Sequence, residues 1–167
     1  MFIYLIRHAI AETLPPASGR SDAGRALTEA GAARMRRAAA GLTTLVPSLD
    51  RLLSSPLRRA RQTAAILAPH WQLEVEIDAG LAPEGDLRAL ALRLAALGGQ
   101  GAAQVAVVGH QPGLGALASL LWTGEERRAW LPFKKGSCAC IELAPPQAML
   151  RWFLPPAQLR ALADGRR

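Results

Sequence analysis

Three places along the chain carry side chains able to do chemistry, and each follows an apolar run. Arg7-His8 follows Phe2 to Ile6 (FIYLI), Gly109-His110 follows Gln104 to Val108 (QVAVV), and Arg58, Arg59 and Arg61 come soon after Asp50 to Ser54 (DRLLS). Two imidazoles and several guanidiniums suit an anionic reactant. A phosphoryl group presents three non-bridging oxygens, and the planar fork of arginine matches them in pairs. A neutral imidazole can attack phosphorus and form a phosphohistidine that water later hydrolyses. For His8 to do so its attacking nitrogen must be unprotonated, which neighbouring guanidinium charges favour and a bound phosphate opposes. A backbone carbonyl on its other ring nitrogen would fix the tautomer. His110 is expected to act as a cationic ligand to an oxygen.

These residues act together only if the strands that end in them are neighbours. In open α/β sheets the ligand lies beyond the carboxyl ends of the strands. Phe2 to Ile6 reads as a buried strand, and residues 11–26, with Pro15, Pro16, Gly19, Asp22 and Gly24, as a long loop of the kind that tends to carry function. Thr28 is placed to cap an Ala- and Arg-rich helix running to about Leu45, with Arg34 and Arg37 facing solvent. Asp50 to Ser54 reads as a second strand, and Ser55-Pro56 puts a proline in the first turn of a helix reaching about Ala68. Glu74 to Ile77 is a weaker strand. Gly85 to Leu97 is a helix on the spacing Leu87, Leu90, Leu94, Leu97, and Gln104 to Val108 is a strong buried strand. Pro112 opens a helix to about Leu121. Ser137 to Leu143 and Met149 to Phe153 read as a hairpin around Pro145 and Pro146, and 157–167 as a basic helix or frayed tail. Alternating strands and helices with near-continuous apolar strands predict a three-layer α/β sandwich with a mostly parallel sheet, in one domain over 1–167.

Composition narrows the reading. Of the 167 residues, 50% are apolar and 20% charged, which supplies a core and argues against disorder. No apolar run approaches the roughly 18 residues of a membrane span. Cys138 and Cys140 lie two apart, on one face of a strand, and suit a reduced, cytoplasmic setting. The formal charge of +7 invites a nucleic-acid partner, but 18 of the 20 basic residues are arginine, as compositional bias would produce. The aromatic residues are not interleaved with the basic ones as stacking platforms require. A preference for anionic substrates fits better.

The ordered motifs resemble a known family. Leu5-Ile6-Arg7-His8-Ala9 is similar to the arginine-histidine-glycine signature of the histidine phosphatase superfamily, whose fold is that of phosphoglycerate mutase. Ser54-Ser55-Pro56-Leu57-Arg58-Arg59-Ala60-Arg61-Gln62-Thr63-Ala64 resembles its second signature, in which the arginine directly before alanine is a phosphate ligand, and this maps to Arg59. Val107-Val108-Gly109-His110 resembles the third, and Leu27-Thr28-Glu29-Ala30-Gly31 matches the Leu-Thr-x-x-Gly that starts the first helix. The short length, Ile10-Ala11-Glu12 and Asp22-x-x-Arg25-x-Leu-Thr are most like the SixA-type phosphohistidine phosphatases. Two departures stand out. Ala9 replaces a common glycine, narrowing the backbone choices beside the nucleophile to an extent expected to be tolerated. The inserted helical segment that gives larger relatives an acidic glutamate is reduced here to Leu81-Ala82-Pro83-Glu84-Gly85-Asp86.

The resemblance implies a metal-independent phosphohydrolase with His8 as nucleophile and Arg7, Arg59 and His110 as phosphate ligands. Its expected substrate is phosphohistidine in a signalling or phosphotransfer protein. Glu84, Asp86 and Asp22 are candidate general acids; an imidazole leaving group places a lighter demand on such an acid than an alkoxide does. A small phosphatase for phosphorylated metabolites is the alternative enzyme, and a basic binding module the alternative of another class. Arg58 and Arg61 read as solvated charges, as do Lys134-Lys135 and Arg166-Arg167. Arg20 and Arg25 are either surface charges or a grip on an acidic partner. His70 reads as structural at a helix end, and Glu12 as a loop cap or a support to the site. No cofactor is expected, and no zinc spacing is present.

Overall fold

A computed structural model describes residues 1–14, 21–126, 131–144 and 147–165. Pro15, Pro16, Gly19 and Arg20 of the long loop, Pro145 and Pro146, and Arg166-Arg167 lie outside the described residues. In chain order the elements are β1 (Phe2–Arg7), α1 (Glu29–Leu45), β2 (Arg51–Ser54), α2 (Arg58–Leu67), β3 (Val75–Ile77), α3 (Leu87–Gly99), β4 (Gln104–Gly109), α4 (Gly113–Thr123), β5 (Cys138–Ala144), β6 (Gln147–Leu154) and α5 (Pro156–Ala163). The six strands form one sheet in the order β3-β2-β4-β1-β5-β6. β1, β2, β3 and β4 run parallel, and β5 and β6 extend the sheet by antiparallel pairing.

Side-chain alternation divides the core in two. Tyr4 and Ile6 of β1, Leu52, Ala106, Val108, Cys138 and Cys140 face the layer holding α1, α2 and α5. Ile3 and Leu5, Leu53, Val105, Val107, Ala139 and Ile141 face α3 and α4. A strand covered on both faces must be apolar throughout, which is why β1 and β4 read as continuous runs. Both cysteines are free and buried on one face, as their spacing implies. Among the described residues no helix is long and apolar enough to cross a membrane.

Element ends differ from the sequence expectation where local hydrogen bonds intervene. α2 starts at Arg58, with Leu57 as its N-cap, rather than at Ser55-Pro56. Ser55 N–H donates to the Val108 carbonyl (2.9 Å), continuing the sheet for one more residue, and the following proline disfavours a helical Ser55. α3 begins at Leu87 because the Asp86 carboxylate caps it, accepting from Ala89 N–H at 2.9 Å. The terminal segment forms a true helix against α1: a Cβ at Gly41 would lie 1.7 Å from the Leu159 carbonyl, so only glycine permits this approach.

Candidate active site

Strand register assembles the site. Arg7 pairs with Gly109 across β1 and β4, and Ser54 pairs with Val108 across β2 and β4, so His8, Ser55 and His110 leave three adjacent strands at the same edge. The two imidazole centroids are 5.0 Å apart. His8, His110 and Arg59 are each only 5% exposed. Arg59 arrives from the first turn of α2, and Arg7 from the last residue of β1.

His8 Nδ1 lies 2.7 Å from the Ala9 carbonyl oxygen. A carbonyl can only accept, so Nδ1 carries the proton and the neutral ring keeps its lone pair on Nε2. Burial pushes the His8 imidazole down to about 4; Arg59, Arg7 and Lys135 add to this, and the Ala9 hydrogen bond opposes it. Ala9 N–H in turn donates to Thr63 Oγ1 (3.0 Å), and that hydroxyl donates to the Arg59 carbonyl (2.7 Å). Thr63 thus ties the turn after His8 to the helix bearing Arg59. Ala9 is not among the residues with positive φ, so alanine fits the turn without strain.

His110 departs from expectation. Burial first, then His8 and Arg59, push its imidazole down to about 3, against a smaller opposing pull from Asp22. It is therefore neutral near pH 7 rather than a cation, because a second positive charge beside two guanidiniums in a buried site is too costly. Its Nε2 shares a 2.8 Å hydrogen bond with Ser55 Oγ, and its Nδ1 is buried without a partner. Arg7 donates from Nη1 to the Phe133 carbonyl, while its Nε is likewise buried and unpartnered. Among the described residues these are the two orphaned buried side-chain nitrogens, and both line this cluster. Arg7 Nε–H can only donate, and His110 Nδ1 carries the proton when Nε2 accepts from Ser55 Oγ, so in that tautomer both nitrogens are donors that one anion could satisfy.

The acid candidates fall in different places. Asp22 Oδ2 accepts from Arg59 Nη2, and the Asp22 carbonyl from Nη1, both at 2.8 Å. Arg25 holds the other carboxylate oxygen at 2.8 Å. These bonds, that from Arg25 foremost, keep the Asp22 carboxyl below its usual range, so it is ionised and unsuited to donate a proton. Asp86 is spent as the α3 cap. Glu84 is exposed, and the Leu81-Ala82-Pro83 stretch before it lines a small cavity with Gly109 and His110.

Several surrounding residues also differ from expectation. Arg25 neither faces solvent freely nor awaits a partner; it braces the loop through Asp22 and the Glu12 carbonyl (2.7 Å). Lys135 is exposed, yet its charge reaches the His8 ring, so it is more than a distant surface charge. Arg58 and Arg61 are exposed, as is His70, which packs edge-on to Trp71 at 6.1 Å. Ser55 and Thr63 carry no sequence reading as site residues, although both lie within the second motif. Their signal was a hydroxyl at the end of an apolar strand and another four residues after Arg59, where α2 turns back toward β1. Among the described residues no group of three His, Cys, Asp or Glu side chains could hold a metal ion.

The chain is similar in sequence and in fold to proteins of one family. Residues 3–84 match the model of the histidine phosphatase superfamily (branch 1), a span that includes Arg7, His8 and Arg59. Phosphohistidine phosphatase SixA of Escherichia coli K12 is 32% identical over 127 residues, covering 75% of this chain and 76% of its own. An uncharacterized protein of Picosynechococcus is 38% identical over 130 residues, covering 75% of both. The solved structure of protein histidine phosphatase SixA complexed with tungstate superposes with a TM-score of 0.84 at 30% identity, over 95% of this chain and 99% of that one. The architecture is thus that of phosphoglycerate mutase-like α/β proteins.

Proposed function

The chain belongs to the histidine phosphatase superfamily and is related to the SixA-type enzymes, and on that premise we propose that it hydrolyses phosphohistidine in a signalling or phosphotransfer protein. The observation that carries this reading is the Nδ1–H to Ala9 carbonyl bond, which leaves a lone pair on His8 Nε2 inside a buried cationic cluster. In the proposed first step Nε2 attacks phosphorus, the substrate P–N bond breaks, and the leaving imidazole takes a proton from solvent. Arg7 and Arg59 neutralise the equatorial oxygens, and Arg7 Nε and His110 Nδ1 acquire their missing partners. The incoming phosphoryl competes with Asp22 for Arg59. Water then attacks the phosphorylated His8, releasing phosphate and returning the neutral ring.

The Arg7 and Arg59 guanidiniums supply the positive charge that a metal would otherwise bring, so turnover is expected without one. Two buried reduced thiols accord with a cytoplasmic setting. The leaving imidazole is a weaker base than an alkoxide, which accords with a site where Asp22 is ionised and Asp86 is a helix cap. The test compares EDTA-treated wild type and His8→Ala on a phosphohistidine carrier and on a panel of sugar and nucleotide phosphates. The expected result is metal-free turnover of the carrier, absent in the variant. Substantial activity remaining in His8→Ala overturns the nucleophile, and a clear preference for the metabolites overturns the substrate.

A further inference from the structure

A second cationic cluster lies behind the nucleophile turn. Arg34 of α1, Lys135 ahead of β5 and Arg160 of α5 surround a cavity of about 130 Å³ whose walls include Met35, Ala38 and Pro156. Among the described residues no carboxylate lines it, and none forms an ion pair with any of the three cations. The nearby carboxylate of Asp164 is taken by Arg37 at 2.6 Å. Three like charges gathered from three elements around one cavity repel one another, and an anion among them relieves that repulsion.

The cavity shares a wall with the reaction centre. Ala9, whose carbonyl holds His8 Nδ1, lines it, and so does Lys135, whose charge reaches the His8 ring. We infer that this cavity is an anion subsite that receives an acidic side chain of the phosphoprotein beside the histidine being dephosphorylated, an inference that rests on the proposed substrate. The lining cations meet the carboxylate, and the apolar walls meet its methylenes. Free inorganic phosphate presents the same charge without the apolar stem, and the experiment separates the two.

The test uses Arg34→Glu/Arg160→Glu and the milder Arg34→Gln/Arg160→Gln, both at surface positions outside the catalytic cluster, with thermal unfolding as a check on folding. Against a phosphohistidine carrier protein, the charge reversal is expected to raise KM about tenfold or more and the neutralisation by less. Turnover of free phosphohistidine should change less than about twofold, since a small substrate does not reach the cavity. An unchanged KM for the carrier, or equal losses on both substrates, overturns the subsite while leaving the phosphatase reading intact. Should wild type turn over neither phosphohistidine substrate, the phosphatase reading fails. The subsite is then judged by titrating a glutamate-rich peptide and inorganic phosphate separately into ¹⁵N-labelled protein. Amide shifts at Ala9 and Gly136 with the peptide, lost in the reversal variant, support it. Shifts with phosphate alone, or with neither, overturn it.

Discussion

At the scale of single residues, protonation decides whether the proposed nucleophile can act. His8 is neutral at any pH well above about 4, so its lone pair is available across the physiological range. We expect kcat/KM for phosphohistidine to stay level from pH 8 to about 5 and to fall as pH drops through about 4, a limb that reports the free enzyme's His8. The same shift has a sign for stability. The unfolded imidazole takes its proton near the ordinary value of 6.5 and the native one only near 4, so between these values acidification favours the unfolded chain. The contribution is full above pH 6.5 and declines toward pH 4 by on the order of 3 kcal/mol. Urea unfolding of wild type and His8→Gln across this window checks it: the difference in slope should vanish if His8 is not buried as a neutral ring. Arg7, His8 and His110 stood out as candidates because they follow apolar strands, whereas Arg59 was separated from Arg58 and Arg61 only by the resemblance of the second motif. The charge of His110 was not legible, because burial set it.

At the scale of elements, small groups hold the site's helices to its strands. Thr63 accepts from Ala9 N–H and donates to the Arg59 carbonyl from within α2. Thr63→Val keeps the shape and removes both bonds, leaving Ala9 N–H buried without a partner. We expect a loss of about 1–3 kcal/mol in urea unfolding and a fall in kcat with KM little changed, both restored by Thr63→Ser. Retained kcat in the valine variant would show that the tie does not position the nucleophile. The Leu-Thr-x-x-Gly motif is explained at the same scale. Thr28 N–H donates to the Ile10 carbonyl at 3.0 Å, Gly31 N–H donates to Thr28 Oγ1 at 3.0 Å, and a Cβ on Gly31 would lie 2.2 Å from that carbonyl. The motif thus pins the start of α1 to the chain two residues after His8. Periodicity located these elements well. It misplaced the start of α2, since sheet pairing by Ser55 outlasts the local helix signal of Ser55-Pro56.

At the scale of the molecule, the formal net charge is +7, and Arg34, Lys135 and Arg160 line a second cavity beside the proposed phosphate site. Long-range attraction of an acidic phosphoprotein should therefore speed its encounter. Raising NaCl from about 50 to about 500 mM is expected to lower kcat/KM for a carrier protein at least about fivefold, with free phosphohistidine much less affected. Equal salt sensitivity for both substrates would locate the effect in the phosphate site alone. The order of strands and helices, the layered architecture and the residues at strand ends were determined by the sequence, because each follows from local periodicity, turn chemistry and short motifs. Tertiary structure decided the rest. Ser55 meets His110 across 55 residues, Asp22 meets Arg59 across 37, and Ala9 meets Thr63 across 54. Such contacts, and the desolvation that neutralises both imidazoles, depend on which strands become neighbours and on what the helices then cover. No local pattern encodes either of these.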